Sequence, residues 1–141
     1  MREPSMQDIS NKLKHAVNLL DVKDADLIVE AARAGDADAQ YLLGVMYEEG
    51  YRIQSDEAEA TKWYLKAAQQ GHPIAQKDMG YRYLNGEGTA VNYEESLKWF
   101  KEAKKNGYND IEDYIPIDSL IEEINSLILR LNENEKETSD D

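Results

Sequence analysis

The 141-residue sequence contains no cysteine. Disulfides, thiol nucleophiles and cysteine-based zinc sites are thereby excluded. It has only two histidines. His15 falls in a helical pattern, and His72, between Gly71 and Pro73, reads as a surface loop residue rather than a catalytic base. No apolar run approaches the roughly 18 residues that a membrane span needs. The opening residues Met1-Arg2-Glu3-Pro4-Ser5 lack the apolar stretch of a secretory signal. Both features point to a cytoplasmic protein. Strand signals are missing as well, so no glycine-rich phosphate loop follows a strand. Gly86-Glu87-Gly88 reads as an inter-helix turn instead. Cations are scarce: 16 Lys and Arg stand against 29 Asp and Glu, for a net charge of −13. Nucleic acid and anionic membrane are poor partners for such a chain, because phosphate binding needs clustered cations. A basic protein is a suitable one.

What is present suits a single soluble domain. Hydrophobic residues make up 41% and charged residues 32%, a balance that excludes a wholly disordered chain. The charge is uneven: net −1 over residues 1–35, −3 over 36–107 and −9 over 108–141. Shifting the chain by 36 residues superimposes 36–71 on 72–107. Ala39-Gln40 falls on Ala75-Gln76, Gly44 on Gly80, Tyr47 on Tyr83 and Gly50 on Gly86. Glu59, Lys62, Trp63, Ala67 and Gly71 fall on Glu95, Lys98, Trp99, Ala103 and Gly107. These ten identities compare with about two expected from average residue usage. Each unit reads as two helices. Helix A covers Ala37 to Glu49 and again Ile74 to Asn85. Helix B starts after Asp56 and Asn92, both good N-caps, and is closed by Gly71 and Gly107. Gly44 and Gly80 lie inside helix A, where glycine costs about 1 kcal/mol against alanine. Their recurrence predicts close approach of a neighbouring helix.

The pattern, Ala-Gln then Gly, Tyr and Gly, followed by Trp-Tyr, Ala-Ala and Gly, resembles the Sel-1-like repeat family, relatives of the tetratricopeptide repeats. The resemblance covers 36–107. Leu27-Ile28 with Ala31-Ala32 and Gly35 looks like a preceding helix B without its tryptophan, and Tyr108 to Tyr114 like a faded helix A. Arg52 stands where the second unit has Gly88, which predicts a differently built first loop. The resemblance implies an all-α fold, a short α-solenoid of two helix-turn-helix repeats with flanking capping helices, and a role in binding other proteins without catalysis.

Two repeats are too few to bury a continuous core, so caps are expected at both ends. Residues 1–132 then form one domain. Ile9, Leu13, Ala16, Val17 and Leu20 recur at helical spacing, with Ser5 and Asp8 as a capping box, giving N-terminal helices over 5–35. After Pro116, Ser119-Leu120-Ile121-Glu122 reads as a second capping box. It opens a helix over 117–132 whose stripe is Leu120, Ile121, Ile124, Leu127, Ile128 and Leu131. That helix either caps the last repeat or serves dimerisation or partner docking, so the protein is a monomer or a dimer through it. Residues 133–141 have no apolar side chain and read as a disordered acidic tail.

No catalytic or metal constellation emerges, and no cofactor is expected. Glu48-Glu49, Glu94-Glu95 and Glu122-Glu123 are adjacent on helices and point about 100° apart, as on solvated faces. Asp36-Ala37-Asp38 lacks the remaining spacing of a calcium loop. By resemblance to tetratricopeptide stacks, helix A lines a concave groove. The residues then facing it are Tyr41, Val45, Glu48 and Glu49 in the first unit, and Lys77, Tyr81, Leu84 and Asn85 in the second, with Asp113 continuing the row. Tyrosine is common among interface anchors. On this reading Tyr41 and Tyr81 can be replaced by alanine without loss of folding. Trp63 and Trp99 are expected to be equivalent and largely buried. The most specific function is an acidic inhibitor or immunity-type protein that binds a basic partner such as a nuclease toxin. The alternative is a scaffold or regulatory adaptor holding an extended peptide in the groove.

Deletion of residues 133–141 removes five carboxylates and Lys136 but no apolar group. The melting temperature should stay within a few degrees of the full chain, as scanning calorimetry would show.

Overall fold

The computed structural model describes residues 21–108 and 117–139. The stripe Ile9 to Leu20 with its capping box, His15, the faded helix A over 109–114 and Asp113 lie outside the described residues. The described residues form six helices in order: α1 Val22–Arg33, α2 Ala37–Glu49, α3 Glu57–Gln69, α4 Pro73–Asn85, α5 Tyr93–Lys105 and α6 Ile117–Ser139. No strand occurs among the described residues. Each helix packs on the next in sequence, as in a run of stacked helix pairs. The chain is therefore an all-α repeat solenoid, with α2–α3 and α4–α5 as its two units and α1 and α6 at its ends.

Local sequence accounts for the boundaries. Asp36, Asp56 and Asn92 each accept the backbone N–H three residues on, at 2.8–3.1 Å, which satisfies an otherwise orphaned helix donor. Gly50 and Gly86 end α2 and α4 in the left-handed region, where glycine carries no Cβ penalty. α1 closes like the later B helices. The Ala31 carbonyl accepts from the N–H of Asp36, Ala67 from His72 and Ala103 from Tyr108, three copies of one turn at a spacing of 36. The half repeat read in 27–35 is thus a structural copy of helix B. Its Leu27 occupies the tryptophan position and is 55% exposed.

The glycines inside helix A are explained by aromatic rings on helix B. A Cβ on Gly44 would lie 2.8 Å from the Tyr64 ring, and one on Gly80 would lie 2.7 Å from the Phe100 ring. Both rings are fully buried. A methyl group there would overlap the ring, so the propensity cost of glycine is accepted for the closeness of the packing. Ser96 adds a hydrogen bond to the Gly80 carbonyl at 2.7 Å.

The repeated Ala-Gln pair has a second function in the stack. Gln40 Nε2 donates to the Ala32 carbonyl of α1, and Gln76 Nε2 to the Ala68 carbonyl of α3, at 3.3 and 3.0 Å. Each glutamine oxygen in turn accepts from the end of its own helix B, Gln40 from Gln70 at 2.8 Å and Gln76 from Asn106 at 3.0 Å. One buried amide thereby joins three successive helices. Its groups are paired on both sides, as a buried polar side chain requires.

Four sequence expectations need correction. The two inter-helix loops are built alike. Tyr51 and Glu87 N–H groups bond to Met46 and Arg82 carbonyls, and Asp56 and Asn92 N–H groups to Tyr47 and Tyr83 carbonyls. Arg52 adopts φ +57° where Gly88 has φ +69°, so the arginine is held in a glycine conformation. Its Nε donates to the Tyr51 hydroxyl at 3.0 Å. The C-terminal helix starts at Ile117, directly after Pro116, so Ser119 lies within it and is not its cap. It also continues through Ser139 rather than stopping at 132. Glu and Lys in 133–137 are good helix formers and no breaker intervenes, so an exposed helix replaces the disordered tail over those residues. Finally, Trp99 is 6% exposed but Trp63 only half-buried. Lys66 lies over the Trp63 ring at 4.2 Å and Lys98 over the Trp99 ring at 4.9 Å.

Gly88→Ala and Arg52→Gly should act in opposite senses. A Cβ on Gly88 would meet the Glu57 carbonyl oxygen at 2.3 Å, and φ is positive besides. The loss should be about 1–3 kcal/mol. Arg52→Gly relieves a left-handed non-glycine residue, so stability should be unchanged or higher by up to about 1 kcal/mol. Urea midpoints of both variants check the pair.

Candidate functional site

The row of groove residues read from the sequence divides in three. Tyr41, Val45 and Lys77 are buried, Glu48, Tyr81 and Leu84 are half-buried, and Glu49 and Asn85 are exposed. The expectation that the first three face a free groove is corrected by what they touch. Tyr41, at 0% exposure, stacks on His72 with ring centroids 4.9 Å apart and planes 17° apart, and lies 5.4 Å from Tyr64. Lys77, at the equivalent position, lies over the Tyr108 ring at 5.6 Å and pairs with Asp78 at 3.1 Å. In both units this position meets the first residue of the following unit. It is a contact between repeats. Val45 belongs to the main apolar core, and Tyr81 sets its edge against Phe100 at 4.9 Å. Tyr41→Ala would therefore open a cavity in the core, and folding does not tolerate it as a surface change.

His72 is likewise no surface loop residue. Its Nδ1 accepts the Ala75 N–H at 3.1 Å and so caps α4. Its Nε2 lies 3.2 Å from Asp38. Accepting at Nδ1 requires the neutral ring with its proton on Nε2, which then donates to Asp38. Burial holds its pKa below the usual histidine value, against the pull of Asp38 and Asp78.

Glu48 enters an ionic network around a buried arginine that the sequence reading missed. Arg82, 3% exposed, reaches from α4 back to the first repeat. Nη1 donates to Glu57 at 2.8 Å and to the Thr61 hydroxyl at 3.1 Å, and Nη2 lies 3.4 Å from Glu48. Its guanidinium sits 4.8 Å over the Tyr64 ring, whose hydroxyl donates to Glu48. Burial opposes the Arg82 charge, but Glu57 and Glu48 outweigh it and hold its pKa above the usual value. Burial first, then Asp78 and Glu48, push the Tyr64 phenol well above its usual range. A permanently charged guanidinium neutralised by two carboxylates, beside a phenol that stays protonated, joins repeats. It offers neither a nucleophile nor an acid that works near neutral pH. The available signal was the position of Arg82, which matches the buried Met46 of the first unit.

A cleft among the described residues lies further along. Between the end of α4 and α6 is a cleft of about 540 Å³ lined by Leu84, Leu120, Ile124 and Leu127. Leu120 and Ile124 are buried against Phe100, Ala103 and Tyr108, and Leu84 packs at the same cluster. α6 packs on α5. The α6 stripe thus performs the capping expected of it and leaves one flank as a wall of the cleft. Exposed Glu122, Glu123 and Arg130, with Ser119 and Ser126, form that wall. Of the eight sequence-predicted residues, only Leu84 lines the cleft. Among the described residues no group of three His, Asp or Glu could hold a metal, and no helix is long and apolar enough to cross a membrane.

An α-solenoid of helix pairs with this glycine–aromatic and Ala-Gln pattern defines a class of interaction scaffold. The Sel1 repeat model matches residues 37–72 and 73–108, and the chain belongs to the Sel1 repeat family. Similar solved structures include a Sel1 repeat protein from Oxalobacter formigenes, 43% identical with a TM-score of 0.58. Another is c5321, a protective antigen of uropathogenic Escherichia coli strains displaying an SLR fold, 37% identical with a TM-score of 0.57. Each alignment covers 59% of this chain, and 34% and 18% of those proteins respectively. No curated protein matches the chain. Sel1 repeats are non-catalytic modules that generally mediate binding between proteins.

Since the folded state lowers the His72 pKa, it favours the neutral ring more than the unfolded chain does. The stability due to this residue is complete above the unfolded value of about 6.5 and is lost as pH falls below it. His72→Asn retains an N-cap without a titrating group. Between pH 7.5 and 5.5 the melting temperature of wild type should fall more than that of His72→Asn, measured by circular dichroism.

Proposed function

We propose that the chain binds a basic protein partner through the α4–α6 cleft, as an acidic inhibitor or immunity-type protein acting in the cytoplasm without catalysis. The observation that carries this is the cleft itself, where half-buried Leu84 and Leu127 are the accessible apolar side chains beside buried Leu120 and Ile124, with exposed Glu122 and Glu123 in the same lining. Apolar contact area supplies affinity, and an acidic rim steers a cationic partner. The sequence after residue 107 carries a net charge of −9, which supports the choice of partner. The adaptor reading, with an extended peptide along the α2 and α4 groove, loses support because Tyr41, Val45 and Lys77 are buried.

Affinity capture from the native cell followed by mass spectrometry supplies the partner, and purified components then test the reading. Leu127→Arg should weaken binding at least tenfold, about 1.4 kcal/mol, with an unchanged circular dichroism melt. Glu122→Gln should lower the association rate and flatten its salt dependence. Normal binding by Leu127→Arg, with loss on changing Lys66 or Lys101 of the B helices, would move the partner to the convex face.

A further inference from the structure

We infer that the segment filling the α4–α6 cleft is an amphipathic α-helix of the partner, two to three turns long, with lysine or arginine over Glu122 and Glu123 and a carboxylate near Arg130. This rests on the cleft reading above and names its ligand. The shape of the floor comes first. Leu120, Ile124 and Leu127 follow helical spacing on one side of α6; Leu120 and Ile124 are buried in the cluster that Leu84 of α4 packs against, and half-buried Leu84 and Leu127 offer the accessible apolar surface. Leu120 to Leu127 spans seven residues, about 10 Å at 1.5 Å each, or two turns of an occupant lying alongside.

The backbone of the occupant decides its conformation. A peptide bound in extended form must find partners for its N–H and C=O groups as they leave water. The polar groups lining this cleft are Ser119, Ser126, Glu122, Glu123 and Arg130. These five side chains are too few to pair with every N–H and C=O of an extended backbone as long as two turns of α6, and no strand edge exists among the described residues. A helix satisfies its own backbone and needs only a matching apolar face.

Charge fixes the rest. Glu123 and Arg130 are also seven residues apart, so the cation and the carboxylate of the occupant lie about two turns apart along one face. A second copy of this chain is a poor occupant, because each copy carries a net charge of −13.

The test uses three synthetic helical peptides with one leucine face, capped at both ends. The first carries lysines at one end and glutamate two turns away. The second replaces the lysines with glutamates. The third is the first with a central proline. Binding to the full chain is followed by fluorescence anisotropy and by ¹⁵N chemical-shift mapping. The expected result is shifts at Leu84, Ile124 and Leu127 with the first peptide. Affinity should be at least tenfold lower for the proline peptide, for the glutamate peptide, and for the first peptide on a Glu122→Lys/Glu123→Lys variant. Those two residues are exposed, and a matching circular dichroism melt confirms that the variant folds. Equal affinity of the proline peptide overturns the helical occupant. Equal affinity of the glutamate peptide at the cleft overturns the charge assignment and leaves the cleft reading standing. Shifts away from the cleft, or none with any peptide, overturn the cleft reading itself.

Discussion

The structure depends on an aromatic ring of one helix packed directly against a glycine of the other. Tyr64 fills the space over Gly44, and Phe100 the space over Gly80, at distances that leave no room for a methyl group. Burial of a large ring contributes about 1.5–3 kcal/mol from area alone. The glycine lets the two helices approach until that ring is fully enclosed. Each pair buries one side this way and leaves the other for the next pair, so neighbouring repeats must stack to complete the core.

Stacking uses contacts that differ chemically while keeping their place. The position of Tyr41 and Lys77 meets the first residue of the following unit, His72 in one case and Tyr108 in the other. An aromatic stack in the first junction becomes a cation over a ring in the second. The glutamine of the Ala-Gln pair bonds backward and forward at both junctions. Arg82 then ties α4 to Glu57, Thr61 and Glu48 of the first repeat. Arg82 is itself buried, so stripping it of both carboxylates would leave an uncompensated buried charge, which is costlier than losing a surface pair.

These distinctions explain what was legible in the residues. Identities such as Gly44/Gly80 and Ala39-Gln40/Ala75-Gln76 mark backbone closeness and buried amides, and the helices they imply have the expected limits. The junction contacts were not legible, because Tyr41 and Lys77 share a position but no chemistry. Arg82 escaped notice because a charge at the place of Met46 reads as exposed until its carboxylates are seen. Arg52 looked like a different loop because an arginine seldom takes a positive φ. At the candidate site, Leu84 and the α6 stripe were read separately. Their meeting across a cleft depends on where α6 lies after Pro116, which repeat spacing does not encode. The cleft forms where the repeat pattern stops, since α6 is 23 residues long where each helix A has 13.

The claim that ring-on-glycine packing organises each repeat is tested most directly by a double-mutant cycle on Gly80→Ala and Phe100→Ala. Urea melts provide the readout, with an osmolyte present to keep the weakest variant folded. In the wild-type background Gly80→Ala should cost about 1–3 kcal/mol, because the new methyl group meets the ring. With Phe100 already alanine, the same change should be neutral or stabilising by up to about 1 kcal/mol, as helix propensity alone dictates. Costs that simply add, with no coupling between the two sites, would contradict the account.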